Sequence, residues 1–179
     1  LSRRKFLTSS AAVGTFSILP SGLWGNSPNG KICTAHIGIG GKGHTDTTSI
    51  GRHKNVEVLG LCDVDPLRGK LAAKLKQYPS ATFFHDYREM LAKLGDKVDA
   101  VSISTPDHTH YPATLAAMEM GKHVYTQKPL THKLSEARHL AELAEEKGLT
   151  TQMGIQNQST VAYQLARRLL QDGLMGKIS

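Results

Sequence analysis

A chain of 179 residues with 39% hydrophobic and 21% charged content can bury one ordinary globular core, which excludes a disordered or fibrous protein. The formal charge of +7 suggests a nucleic-acid partner, but Arg3, Arg4 and Lys5 supply three of the positive charges and leave 19 basic against 15 acidic residues spread along the rest. Without a dense Lys/Arg run there is no footprint for a phosphate backbone, so nucleic acid is not an expected partner.

The first thirty residues, opening "LSRRKFLTSSAAVGTFSILPSG", join a basic start to a short middle rich in small residues, then Pro20 and Gly22. That is the layout of an export signal, and the middle is too short and too polar to span a bilayer. Arg3-Arg4 followed by Phe6-Leu7 resembles a twin-arginine signal, the kind that exports proteins already folded. Residues 1–30 are therefore read as a leader, and the protein as periplasmic or bound to the cell envelope. No Ala-x-Ala site follows, so cleavage and retention as an anchor both stay open; otherwise no membrane span is expected.

From residue 31 short apolar runs alternate with helical patterns. Strands are expected at 32–39, 56–62, 82–84, 99–105, 123–126 and 150–155. Helices are expected at 66–77, with Asp65 as N-cap and Pro66 in the first position, at 112–120, stopped by Gly121, and at 135–147, stopped by Gly148. Strands of four to eight residues separated by single helices mean βαβ units, and hence a doubly wound parallel sheet of the Rossmann type over 31–158. A further amphipathic helix at 160–172 carries Val161, Leu165 and Leu169 on one face, and "GLMGKIS" then reads as the approach to another strand. Residues 159–179 are accordingly expected to link to a C-terminal domain beyond this chain. Cys33 and Cys62 fall near the start of one strand and the end of the next; if the strands are neighbours, about four or five residues of rise keep them beyond disulfide reach.

The loop "IGIGGKGH" places Gly38, Gly40 and Gly43 in the spacing G-x-G-x-x-G, with Gly41 in addition. It follows a strand and opens a helix, and Asp63 stands 20 residues beyond Gly43 at the end of the next strand. That context is a dinucleotide site: tight turn, close approach of backbone to pyrophosphate, helix N-terminus facing the charge, and a carboxylate for the ribose hydroxyls. Asp63 favours NAD over NADP, while Arg68 stands near enough to accept a 2′-phosphate instead. The fourth strand runs into "STPDHTHYP", whose loop borders the crevice where strand order reverses. Asp107, His108 and His110 have metal-ligand chemistry, but two histidines on one turn without a clear third ligand make no metal site. The fifth strand ends in Gln127-Lys128-Pro129. A lysine there points into the crevice, where it could hydrogen-bond a substrate hydroxyl and stabilise a developing alkoxide. Pro129 fixes the backbone and is a candidate for a cis bond.

"IGIGGKG", "LCDVDP", "STPDHTHYPATLAAMEMGKHVYTQKPL" and "TQMGIQNQS" together resemble the Gfo/Idh/MocA family, named for glucose-fructose oxidoreductase, inositol dehydrogenase and rhizopine catabolism. The resemblance implies a Rossmann domain, a C-terminal α/β domain with an open mixed sheet, tightly held NAD or NADP, a sugar or polyol substrate, and homo-oligomers formed through the C-terminal domain. It places the phosphate loop on Gly38, Gly40 and Gly43, beside which Gly41 is a further cofactor-binding candidate, the ribose acid on Asp63, and the loop along the cofactor on Thr105, Pro106, Asp107 and His110. Gln127, Lys128 and Pro129 stand where the family has Glu-Lys-Pro, and Gln156 and Asn157 match positions at the nicotinamide end. Lys128 is the expected catalytic residue; the family's acid/base histidine and its partner aspartate belong to the C-terminal domain. The departure is Gln127, which can reach a nicotinamide ribose but leaves Lys128 unneutralised. Three functions follow: an NAD-dependent sugar or polyol oxidoreductase, a glycosidase or lyase using retained NAD for transient oxidation, or a non-catalytic cofactor-binding module.

Overall fold

A computed structural model describes residues 30–174 and 176, so the leader reading on residues 1–29 lies outside the described residues. The chain order is β1 (Ile32–Ile37), α1 (Gly41–Gly51), β2 (Val56–Cys62), α2 (Leu71–Gln77), β3 (Thr82–Phe84), α3 (Tyr87–Leu94), β4 (Ala100–Ile103), α4 (His110–Glu119), β5 (His123–Gln127), α5 (Leu134–Glu146), β6 (Thr151–Gly154) and α6 (Val161–Gln171). The six strands form one sheet in the order β3-β2-β1-β4-β5-β6, every pairing parallel. Order reverses between β1 and β4, which opens the crevice above their carboxyl ends.

Five of the six β1 residues are buried, as a parallel strand covered on both faces requires. One face carries the larger core: Ala35, Ile37, Val101, Ile103 and Val124 of the sheet against Met90 and Leu91 of α3, Ala113, Ala117 and Met118 of α4, and Leu140 and Leu143 of α5. The other face has a small apolar cluster of Ile39, Val58, Leu61 and Tyr78. Thr34, His36 and Asp46 are also buried, with α1 packing on β1, β2 and β4. A register shift opposite Thr34/Ala35 lets Val58 and Leu61 share a face although they are three positions apart.

Two helices differ from expectation. Asp65 accepts from the backbone N–H groups of Leu67 and Arg68, as a cap would, but the turn it starts does not run on to 77. Gly69 packs against Ile39 so closely that a Cβ would stand 2.8 Å from its Cγ1, Lys70 turns left-handed at φ 51°, and α2 begins at Leu71. In α4 the helix starts two residues before Pro112, led in by a 3₁₀ turn at Asp107–Thr109; a proline in the first turn sacrifices no internal hydrogen bond. The reading from sequence does not include α3, capped by Asp86 through Arg88 N–H at 2.8 Å. Cys33 pairs in register with Glu57 and Cys62 with Ile37, so four residues of β1 separate the two levels and no disulfide joins them. In α6 two residues of the apolar face expected from the sequence are exposed, Val161 at 82% and Leu165 at 56%, while the third, Leu169, is half-buried.

Candidate cofactor site at the sheet's carboxyl edge

The phosphate loop is built by two contacts that exclude side chains. Gly38 follows β1 at φ +79°, donates its N–H to the Cys62 carbonyl at 2.8 Å, and lies so close to β4 that a Cβ would meet the Ser104 carbonyl oxygen at 2.7 Å. Gly43, in the first turn of α1, faces back on the loop, and a Cβ there would collide with the carbonyl oxygen of Gly38. Gly38, Gly40 and Gly41 line the crevice, whereas Gly43 lets helix and strand approach each other.

Asp63, one residue past β2, braces this loop. Its Oδ2 accepts from the N–H groups of Ile39 at 2.8 Å and Gly40 at 3.0 Å, and its Oδ1 accepts from Asp65 N–H at 3.0 Å. Each carboxylate oxygen can accept more than one hydrogen bond, so capacity remains for a ligand hydroxyl. The crevice encloses about 630 Å³ and takes its walls from the glycine loop, Asp63 to Asp65, Arg68, His85 to Arg88 at the start of α3, and Ser104 to Pro106 with His108 and Thr109. The thiol of Cys62 at its floor is pushed up to about 12, first by burial and then by the carboxylates of Asp63 and Asp86, so it stays protonated and unreactive.

The residues after β4 divide. Thr105 and Pro106 line the crevice, and the Thr105 hydroxyl oxygen is buried without a protein partner. Asp107 is exposed outside the lining. His110 is 1% exposed and turned inward, with Nδ1 2.6 Å from the Pro129 carbonyl oxygen and Nε2 2.8 Å from that of Thr105. A neutral ring donates to one of these carbonyls at a time, and an imidazolium to both. His110 therefore ties the β4 loop to the β5 turn instead of lining the crevice, and it does not join Asp107 and His108 in a ligand set. His108 and Thr109 occupy the wall that the sequence reading assigned to Asp107 and His110.

Lys128 is exposed at the end of β5, next to β4, and the Lys128–Pro129 bond is cis. Gln127 is 5% exposed and points below the edge, its Nε2 donating to Asp46 Oδ2 at 2.7 Å. Gln156 donates from Nε2 to the hydroxyl oxygen of Tyr125 at 2.8 Å. One group outside any local pattern supports α1 from beneath, and a buried imidazole lies near it. Lys74, 1% exposed, donates from Nζ to Thr48 Oγ1 at 2.8 Å and to the His44 carbonyl at 3.1 Å; burial lowers its pKa to about 8. Burial, with Lys74 nearby, lowers His36 to about 3 and keeps that imidazole neutral.

The residues present suit a dinucleotide: loop glycines whose side chains would fill the cradle, a carboxylate beside them, and a buried hydroxyl with no protein partner on the opposite wall. Residues 32–155 match the family model described as an oxidoreductase family with an NAD-binding Rossmann fold, Gfo/Idh/MocA. Over 117 residues the chain is 33% identical to a scyllo-inositol 2-dehydrogenase (NAD(+)) of Bacillus subtilis, covering 65% of this chain and 34% of that protein. Over 133 residues it is 33% identical to a glycosyl hydrolase family 109 protein of Stenotrophomonas maltophilia, covering 68% of this chain and 28% of that one. Among solved structures, GenD2 from gentamicin A biosynthesis in complex with NAD superposes with a TM-score of 0.71 at 26% identity, covering 80% of this chain and 40% of that one. The chain thus spans about a third of the length of the two curated relatives.

Proposed function

The chain belongs to the Gfo/Idh/MocA oxidoreductase family, and from that premise we propose that it forms the NAD-binding part of an enzyme moving a hydride to or from a carbinol carbon of a sugar or polyol. The observation that carries this reading is the crevice itself, with the glycine loop and Asp63 on one side, the Thr105 hydroxyl on the other, and Lys128 one strand further along the same edge. When bound, the nicotinamide ring supplies the hydride acceptor. The loop amides and the N-terminus of α1 take the pyrophosphate charge. Asp63 accepts from the adenosine ribose hydroxyls and disfavours a 2′-phosphate. Lys128 would donate a hydrogen bond to the substrate hydroxyl oxygen and stabilise negative charge that develops there. A further part of the protein, packed on the exposed face of α6, would complete the substrate pocket. The basic start with Arg3-Arg4 and Phe6-Leu7 supports export in folded form.

The test is titration of the full-length protein with NADH and NADPH, followed by assays of NADH formation from inositols and glucosides. NADH should bind more tightly than NADPH, and Asp63→Ala should remove the preference. No binding of either nucleotide would sink the proposal. The relative bearing the glycosyl hydrolase name favours a second reading, net hydrolysis with NAD retained. Glycoside cleavage without added cofactor and without net NADH formation would select it.

A further inference from the structure

Position 127 departs from the family pattern, and the structure shows what it faces. Asp46, in the second turn of α1, is 6% exposed. Its Oδ1 accepts from Lys42 Nζ at 2.7 Å, and its Oδ2 accepts from Ser104 Oγ at 2.9 Å and Gln127 Nε2 at 2.7 Å. One carboxylate thus gathers the phosphate-loop helix, the end of β4 and the end of β5. The Gln127 amide also approaches the Tyr125 hydroxyl at 3.3 Å.

Gly154 adds an independent observation. It pairs in register with Gln127 across β5 and β6, and a Cβ there would stand 2.8 Å from both Gln127 Nε2 and the Tyr125 hydroxyl. Its φ is not in the left-handed region, so the need for glycine is space for the amide. An ionised carboxylate only accepts, so the group opposite Asp46 has to donate, which an amide does and a glutamate does not.

We propose that Asp46 and Gln127 are a matched pair of positioning residues, in which the buried acid requires the neutral donor and holds the strand end bearing Lys128 against the phosphate-loop helix. The functional value of that placement rests on the reading of Lys128 given above, whereas the pairing stands on geometry. The titratable groups facing the pair are Lys42 on the same helix, His36 on β1 with Lys74 of α2 beyond it, and Tyr125 on β5; β4 contributes only the neutral Ser104. His36, lowered to about 3, and Lys74, lowered only to about 8, do not change charge between them at mildly acid pH.

The experiment compares wild type, Gln127→Glu and Asp46→Asn/Gln127→Glu in the full-length protein, by thermal melting and NADH titration from about pH 5 to about pH 7. Two carboxyls in contact must share a proton, so folded Gln127→Glu binds more protons than its unfolded chain and loses stability as pH rises across that range. Its NADH affinity should fall about tenfold relative to wild type at the upper end and recover at the lower. The double variant carries one acid and one amide in exchanged places, and should regain both properties. Gln127→Glu tracking wild type at every pH, or a double variant no better than the single, overturns the pairing. Should Gln127→Glu not fold, recovery of folded protein in the double variant supports the pairing and failure of both overturns it. A wild type that binds no NADH defeats the cofactor reading instead, while the melting series still decides the pairing.

Discussion

Lys128 and Gln127 are neighbours with opposite surroundings, because β5 ends between them. Gln127 is its last residue and sends its amide to Asp46, while Lys128 follows the strand and is exposed at the edge. Gln127, marked in the sequence as leaving Lys128 unneutralised, therefore has Asp46 as its direct partner. For Lys128 itself, Lys128→Met should leave NADH affinity within about twofold and lower the single-turnover rate of hydride transfer by about two orders of magnitude. An unchanged rate would return the residue to the class of solvated turn lysines. Lys74 yields a separate test. Its pKa is lowered from 10.5 to about 8, so between those values the unfolded chain binds the additional proton and stability rises with pH. Lys74→Met should abolish that rise in a melting series from about pH 8 to about pH 10, and its persistence would show that another group titrates.

Individual elements were legible to different degrees. All six strands were placed from apolar runs, because a parallel strand buried on both faces leaves a continuous hydrophobic stretch that needs no partner to be recognised. Helix α3 carries Tyr87, Met90, Leu91 and Leu94 at helical spacing behind the Asp86 cap, so its signal is present, but eight residues make a short pattern. The break before α2 was hidden because it arises from packing of Gly69 on Ile39, a contact between distant residues. The glycine loop and Asp63 were readable because strand, turn and helix are contiguous there. Asp46 and Gln127 were not, being 81 residues apart with no shared period. The loop also separates two kinds of glycine. Gly43→Ala drives a methyl group into a backbone carbonyl that cannot move without shifting β1, and should cost about 1–3 kcal/mol or more and abolish NADH binding. Gly41→Ala meets open space at φ +49°, so it should cost only about 1–2 kcal/mol of backbone strain. Equal losses in denaturant midpoint and NADH affinity for the two variants would refute this distinction.

At the scale of the whole molecule the sheet divides its labour between a face that stabilises and an edge that binds. The core under α3, α4 and α5 is apolar apart from the Thr114–Thr126 hydroxyl pair at 2.7 Å, while most other buried polar groups collect under α1 and around the crevice. Met118, 1% exposed in the large core, does not line the crevice. Met118→Ala should therefore cost about 2–5 kcal/mol, set by the lost apolar contact and the cavity left behind. NADH affinity of the protein that remains folded should be unchanged. Thr105 predicts the reverse pattern. Its hydroxyl is already buried without a protein partner, so Thr105→Val breaks no internal hydrogen bond and removes a polar atom from an unsatisfied place. Stability should hold or rise slightly, whereas NADH binding should weaken about fivefold to tenfold if that hydroxyl faces the cofactor. Denaturant melts and NADH titrations on the two variants place each on a plane of stability against affinity. If both move along the same axis, the division between scaffold face and binding edge fails, because the hydroxyl would then be part of the scaffold.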